Sequence, residues 1–520
     1  MSTHVKFAII IVITGVIVMS AGRYALPFFE DMFQRNSSDA KDTKGKIHIG
    51  YDNWVGYFPL CSKEMKKRLR QKGYMLECVD DKANYKERYS KLKSGELDFA
   101  VGTVDSYIIN GDSYDYPGTI VAVLDESKGG DAIVALKSKI NSLDDFKTNE
   151  GYKIAFTPDS PSHHLLKAIS VHFDIEKLRM GAGGAVKTDG SSDALKKILN
   201  KEVDAAVLWE PDVSKALADK EIGRVIGTED TSNLIVDILI VGRKFSKNNP
   251  QIVELLLREY FQTLKFYREN QKEYISNISD AYDIKKSDVK ALLKGVKWAS
   301  LTDNVETWFG ATQGTSLQEE ALVETIESTV SILQEFGSIK HNPIPNGDPY
   351  RITNANFTKN LYDKMQQFGR GKVTNSGQDE DSITKPFSSL PINVWSGLRD
   401  VGTLKIRPLV FASGTYNLTL EGKSELDIAV DNLKHYPNFR VEIRGHTGMR
   451  GAKEANQVLS QERAEAVKRY LHVTYGISSN RMRAIGFGGE QPLQRESGES
   501  FRSYNYRLPR VELVLVAEEL

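Results

Sequence analysis

The feature that most constrains this chain is a change of hydrophobic period that repeats along its middle. Lys46-Ile47-His48-Ile49-Gly50 alternates as a strand does, ends in the aromatic turn Tyr51-Asp52-Asn53-Trp54-Val55-Gly56-Tyr57, and gives way to a helix from about Leu60 to Lys72. A helix holding Tyr85, Tyr89 and Leu92 then precedes the strand and loop Leu97-Asp98-Phe99-Ala100-Val101-Gly102-Thr103. Strands that alternate with helices require an α/β lobe with parallel strands. At 520 residues the chain exceeds one ordinary core, so two or three domains are expected. Lysine plus arginine equals aspartate plus glutamate at 69 each, which removes the bulk attraction on which nucleic-acid binding depends.

The N-terminus carries an uncharged run, Phe7 to Gly22, flanked by Lys6 and Arg23. It is short against the roughly 20 apolar residues of a spanning helix, but Tyr24, Ala25 and Leu26 lengthen it if Arg23 reaches back to the interface. A cleaved signal peptide is the competing reading, with Ser20-Ala21-Gly22 as a small-residue cleavage site. The expectation adopted is a retained single-pass inner-membrane anchor with everything after about residue 30 exported. No Asp, Glu or Lys lies within the run, which argues against a stator subunit of an ion-driven motor, where an ionisable group in the span carries the ions.

Near the C-terminus, Leu426, Ala429, Val430 and Leu433 mark one face of a helix from about Glu421 to Lys434, followed by a strand Arg440 to Arg444. A second helix, about Ala455 to Leu471, buries Leu459, Ala464, Val467 and Leu471; Ala484 to Phe487 and Val511 to Val516 read as strands. Between strand and second helix stands Gly445-His446-Thr447-Gly448, with Asn456 and Arg463 eight and fifteen positions after Gly448. These residues resemble the peptidoglycan-binding signature of OmpA-like domains over roughly Leu404 to Val516. The resemblance implies a β-α-β-α-β fold with Thr447, Asn456 and Arg463 at a wall-binding site, where the arginine holds the carboxylate of a diaminopimelate side chain through paired, charge-assisted hydrogen bonds. The family's Asp, which would hold the ammonium, is Gly448 here.

The larger middle part resembles periplasmic solute-binding proteins of the nitrate, sulfonate and thiamine-precursor group. Four islands carry that resemblance: Gly50 to Leu60, Gly95 to Ser106, Gly129 to Val134, and Asp204 to Pro211. It implies two α/β lobes around a cleft, with ligand held at the carboxyl ends of strands and buried by hinged closure. By position the first lobe presents Asn53, Trp54, Tyr57, Asp105 and Ser106, and the crossing between lobes adds Asp125, Ser127 and Asp131. The second lobe presents Ser160, His163, Ser191, Ser192, Trp209 and Glu210, while a strand Leu234 to Val241 returns to the first lobe carrying Asp237. Several carboxylates and two tryptophans, with Lys128 the one basic residue among them, suit a cation or polyol better than an oxyanion. The bland alternative is that Asp105 and Ser192 cap helices.

Catalysis finds little support. Ser160-Pro161-Ser162-His163-His164 sets hydroxyls near imidazoles without an elbow or oxyanion loop, and adjacent His163 and His164 point about 100 degrees apart on a helix, which discourages shared metal chelation. Met180-Gly181-Ala182-Gly183-Gly184 is a weak phosphate loop, since no strand precedes it in register. The two cysteines, Cys61 and Cys78, are expected to pair as a disulfide in an oxidising compartment, a reduced pair being the alternative, and are too few for a structural zinc site. The expected organisation is an anchor or uncleaved signal over 1–30, a linker 31–45, a two-lobed α/β solute-binding domain 46–373, a linker 374–392 and a smaller α+β OmpA-like domain 393–520. The expected role is non-enzymatic, without cofactor or metal. It captures a small solute for an inner-membrane transporter or senses it while held near peptidoglycan, or it is a connector whose lobes contact protein partners.

Overall fold

The computed structural model describes residues 43–148, 151–179, 184–311, 320–367, 383–412 and 415–518. The anchor segment Phe7–Gly22 lies outside them, as do Met180–Gly183 of the glycine-rich run and residues 374–382 of the expected linker. Among the described residues no helix is long and apolar enough to cross a membrane.

Among the described residues fifteen strands form three sheets. In chain order they are β1 (Gly45–Tyr51), β2 (Tyr74–Asp80), β3 (Phe99–Thr103), β4 (Gly118–Ser127), β5 (Asp131–Leu136), β6 (Ile154–Phe156), β7 (Ala185–Lys187), β8 (Ala205–Trp209), β9 (Ile222–Gly227), β10 (Val236–Gly242), β11 (Val296–Trp298), β12 (Arg399–Thr403), β13 (Arg440–His446), β14 (Met482–Gly486) and β15 (Arg510–Ala517). The first lobe has the order β11-β4-β10-β3-β1-β2, the second β7-β6-β8-β5-β9, and the C-terminal domain β12-β15-β13-β14. In the first lobe β3, β4 and β10 are buried along their whole length, as strands covered on both faces are, and their sequences are largely apolar apart from Asp237 in β10, Thr103 in β3 and Thr119 and the Asp125-Glu126-Ser127 end of β4.

The lobes are not purely parallel, as the strand–helix alternation led one to expect. β10 runs antiparallel to β3 and β4, and β5 antiparallel to β8 and β9. β5 and β10 arrive from the other lobe: the chain crosses once from β4 into β5 and returns once from β9 into β10, and a strand entering from the far side runs against its neighbours; the edge strand β11 is also antiparallel to β4. The two crossings are bonded together. Ser127 N donates to Ile235 O (3.0 Å), and the Thr228 hydroxyl accepts from Gly129 N (2.9 Å) and Asp131 N (3.1 Å).

A second difference lies at the expected helix from Leu60 to Lys72, which is two pieces, Phe58–Cys61 and Lys63–Gln71. Ser62 takes an extended conformation between them, and its hydroxyl accepts from Met65 N at 3.2 Å and donates to Pro59 O at 3.0 Å, so it caps the second piece. Cys61 and Cys78 are joined as a disulfide, tying this break to β2.

In the C-terminal domain helices occupy Leu420–Lys434 and Lys453–Tyr475, with a short third helix at Phe501–Arg507 before the last strand. This domain is not a separate ball on a string. One continuous apolar core holds Leu143, Phe173 and Ile226 of the second lobe together with Leu404, Leu433 and Tyr436 of the C-terminal domain. Backbone bonds cross the same junction, Leu143 N to Val401 O (2.8 Å) and Lys405 N to His172 O (2.7 Å). Gly402 makes the approach possible: a Cβ there would stand 2.9 Å from both Leu143 and the Phe173 ring.

Candidate functional site

The register of the first sheet sets Asp125 on β4 directly opposite Asp237 on β10. Two aromatic side chains from the turn after β1 close over the pair: the Trp54 indole donates to Asp125 Oδ1 at 2.9 Å and the Tyr57 hydroxyl donates to Asp237. Trp54 in turn lies on the first crossing, where a Cβ at Gly130 would meet its ring at 2.6 Å, so glycine is the residue that lets the indole seat there. Asp125 is fully buried and Asp237 nearly so. Burial pushes both carboxyls up, Asp125 to about 7 and Asp237 well above the ordinary carboxylate value, with the charge of Asp125 adding to the shift at Asp237. Two acids that close in a dry setting share a proton in preference to ionising together.

Behind them Asp52 accepts from Arg88 (3.0 Å), whose Nε donates to Asp81 (2.7 Å) and whose other terminal nitrogen donates to Val101 O (2.8 Å). Burial opposes the Arg88 charge, but the hydrogen bond to Asp81 and the charge of Asp52 outweigh it and raise its pKa. The reading that Lys128 is the one basic group near the cleft is therefore corrected. Arg88 sits mid-helix in Tyr85–Ser94, where a charged residue reads as solvated, yet it is wholly buried. Lys167 of the second lobe is buried as well.

At the crossing Asp131 is held by the Ser127 hydroxyl (2.8 Å) and by that of Ser162, and burial raises its carboxyl to about 6. Trp209 is the β8 residue opposite Asp131. Tyr57, Trp54, Asp125, Asp131, Asp237 and Trp209 thus gather at the two crossings. Other nominated residues have local work. Ser106 caps the helix Val104–Gly111 through Thr103 N (3.0 Å) and contacts the Tyr89 hydroxyl (3.3 Å). Asp105 lies in that helix's first turn, buried.

Ser160 caps the helix Pro161–His172, accepting from His163 N at 3.2 Å, and Ser192 donates to Asp212 at 3.0 Å. Glu210 accepts from Ser214 N (3.1 Å) and its hydroxyl (2.7 Å), fixing the turn after β8, while Asn53 is exposed. His163 stacks on Phe156 at 4.6 Å between ring centres, and burial lowers its pKa to about 3. Its neighbour His164 is the more telling imidazole: it is buried, neither ring nitrogen has a hydrogen-bond partner, and the charge of Asp105 in the first lobe acts on it. Ser162 and His164 stand beside the nominated Ser160 and His163 on a helix buried on every side, so no apolar face in the sequence separates the side chains that reach the crossing. Among the described residues no group of three or more His, Cys, Asp or Glu is arranged to hold a metal ion.

The C-terminal domain presents a different site. Arg463, half-buried on the helix Lys453–Tyr475, lies over the Phe411 ring at 4.9 Å and donates through Nε to Thr415 O at 3.2 Å. It lines a cavity of about 300 Å³ with Pro408, Phe411, Asn505, Tyr506 and Arg510. Thr447 and Asn456 do not line it. Thr447 is buried, its backbone N–H donating to Gly488 O (2.7 Å), and Asn456 braces the turn by donating to Arg450 O at 3.1 Å and Gly448 O at 3.4 Å. A Cβ at Gly448 would meet open space. A larger cavity, about 610 Å³, lies where the two lobes and the C-terminal domain meet, with His172, Ser232, Ser328, Lys405 and His435 in its wall.

Residues 410–506 match the OmpA family. The same region is 35% identical over 85 residues to a peptidoglycan-associated lipoprotein of Rhizobium meliloti, covering 16% of this chain and 48% of that protein. It is 37% identical over 75 residues to the protein of that name from Brucella melitensis, covering 14% and 44%. The chain thus spans about half the length of the curated relatives it matches. Among solved structures, the periplasmic aliphatic sulphonate binding protein SsuA from Escherichia coli aligns over 62% of this chain and 99% of its own at 17% identity and a TM-score of 0.46. A putative sulfonate-binding protein from Methylobacillus flagellatus aligns over 65% and 99% at 16% identity and a TM-score of 0.48.

Proposed function

We propose that this chain is an envelope protein in which a two-lobed solute-binding module is held near peptidoglycan by an OmpA-type domain, with Phe7–Gly22 as its inner-membrane anchor. The observation that carries the solute-binding half is the gathering of Asp125, Asp131 and Asp237 with Trp54 and Tyr57 at the two crossings, where hinge closure buries a ligand. Acids that outnumber the one arginine beside them favour a cationic or polyol solute, because a bound cation supplies the charge that protonation now supplies. The wall-tethering half is supported by the family match and by Arg463, whose guanidinium, backed by Phe411, faces a cavity of the size a peptide side chain needs. Delivery to a membrane transporter follows as one use of a captured solute, and reporting to a membrane partner as another.

Two measurements test the halves separately. Full-length protein should sediment with purified sacculi, and Arg463→Ala should weaken retention roughly tenfold, the worth of one charge-assisted contact; equal retention of the two proteins would remove Arg463 from the site. For the cleft, thermal shift across a panel of amines, polyols and sulfonates reads binding as RT ln(1 + [L]/Kd), about 2.7 kcal/mol at a hundredfold excess over Kd. A panel with no shift favours the connector reading, in which the lobes serve protein partners.

A further inference from the structure

We infer that the C-terminal domain is a brake on the interlobe hinge: its docking contacts hold the second crossing, so that opening or closing of the cleft and docking of the wall-type domain are one linked equilibrium. This goes beyond solute capture and wall tethering, neither of which requires the two modules to sense each other.

The crossing that returns the chain from β9 to β10 runs through Thr228–Ile235. His435, at the end of the helix Leu420–Lys434, clasps it from both sides of one residue: Ser232 N donates to His435 O at 2.9 Å, and His435 Nδ1 lies 2.8 Å from Ser232 O. Asn438 donates to Glu229 O of the same segment at 2.8 Å. The other ring nitrogen of His435 lies 2.8 Å from the Ser328 hydroxyl on the helix Ala321–Phe336. That helix packs on Val104–Gly111 of the first lobe and on Pro161–His172 of the second. One imidazole therefore joins the hinge to the helix that spans both lobes.

The C-terminal domain also grips the body of the second lobe. Thr403 donates to Asp144 through its backbone N–H (3.0 Å) and hydroxyl (2.8 Å), and His172 stacks on His435 with ring centres 5.2 Å apart. A rotation of one lobe about the crossings cannot leave all these bonds at length. Either the hinge stays in its present state or the domain gives up part of its seat. A ligand that favours one lobe arrangement then shifts the docking equilibrium by its differential affinity, and docking shifts ligand affinity by the same factor.

The test needs neither a solute nor wall material, so its outcome is independent of both halves of the proposed function. Hydrogen exchange is measured on the full-length protein, wild type against Asn438→Ala and Ser328→Ala, at the amides of Ser127, Gly129 and Asp131. These sit in the first crossing and bond to the second, and the C-terminal domain touches none of them through a hydrogen bond. The brake predicts faster exchange there by about fivefold or more, the lower range of measured coupling between sites. Strand amides such as Leu239 and Val207, which report global unfolding, should be unchanged, as should all of these in Tyr470→Phe, which alters the domain's surface bond to Asp427. Acceleration confined to Ser232 and its neighbours, or none at all, overturns the inference. Should one truncation lose the fold by near-ultraviolet circular dichroism, the other reads the same equilibrium from the opposite end of the His435 contact.

Discussion

In the cleft, Asp125, Asp131 and Asp237 are 0%, 3% and 2% exposed and bonded to hydroxyls and an indole; in the C-terminal domain Arg463 keeps its charge half in water, with an aromatic ring beneath it and one backbone carbonyl on Nε. The first site lowers the cost of buried charge by holding protons. The second lowers it by leaving the group at the edge of solvent. Buried carboxylates of this kind are poised: a small change in protonation or ligand alters their energy greatly, whereas a surface guanidinium on an aromatic face is always charged and always ready. The molecule thus pairs a conditional site with a constitutive one.

The contrast is broken most forcefully at Arg88. Arg88→Met keeps the volume and removes the one arginine that neutralises Asp52 and Asp81, so the folded protein should lose about 3–5 kcal/mol, seen as a drop in the urea midpoint. A loss below about 1 kcal/mol would mean that the acids relax to solvent and the cleft is not the dry site described.

A smaller effect sharpens the comparison through pH. The unfolded chain releases the Asp131 proton at the ordinary carboxylate value, while the folded protein holds it to about 6. Between those values the native state binds more protons, so this group's contribution to stability is full below the unfolded value and falls as pH rises to the folded one. Asp131→Asn should flatten the decline in unfolding free energy between about pH 4 and pH 6 by an amount on the order of 2 kcal/mol, seen as a smaller fall in the urea midpoint; parallel curves for the two proteins would place the proton elsewhere.

The smallest change is at the open site. Gly448→Asp adds a carboxylate into free space and should leave stability within about 0.5 kcal/mol. If the resemblance to wall-binding domains extends to chemistry, sacculus retention rises roughly tenfold with the restored acid. Unchanged retention would assign wall contact to Arg463 and its cavity alone.

Much of this was legible in the residues. The helices Leu420–Lys434 and Lys453–Tyr475 announce themselves because Leu426, Val430 and Leu433, then Ala464, Val467 and Leu471, fall on one face each and are buried; Leu459, expected beside them, is only partly buried, and Ser460 takes the buried place. A strand before the first helix was expected, but its residues could not be placed, because Arg399-Asp400-Val401-Gly402-Thr403 has no alternation and carries a register shift at Asp400/Gly402. The helix Phe501–Arg507 was missed because Tyr504 is its one buried residue. In the site, Asp125 and Asp237 were placed by the resemblance to solute-binding proteins, and the structure sets them opposite each other on β4 and β10. Arg88 gave no such signal: what buries it is Asp52 and Asp81, residues 36 and 7 positions away, and no local pattern encodes a partner at that distance.

The shared core of the second lobe and the C-terminal domain bears on how the protein can be taken apart. Phe173 and Tyr436 meet edge to face at 5.2 Å, and Val401 and Leu404 belong to the same apolar cluster. A fragment cut in the linker before β12 would carry Tyr436, Val401 and Leu404 into water as an adhesive face, and the truncated lobes would carry its complement. The boundary that evolution used to join two sequences is therefore no longer a seam along which the folded molecule divides.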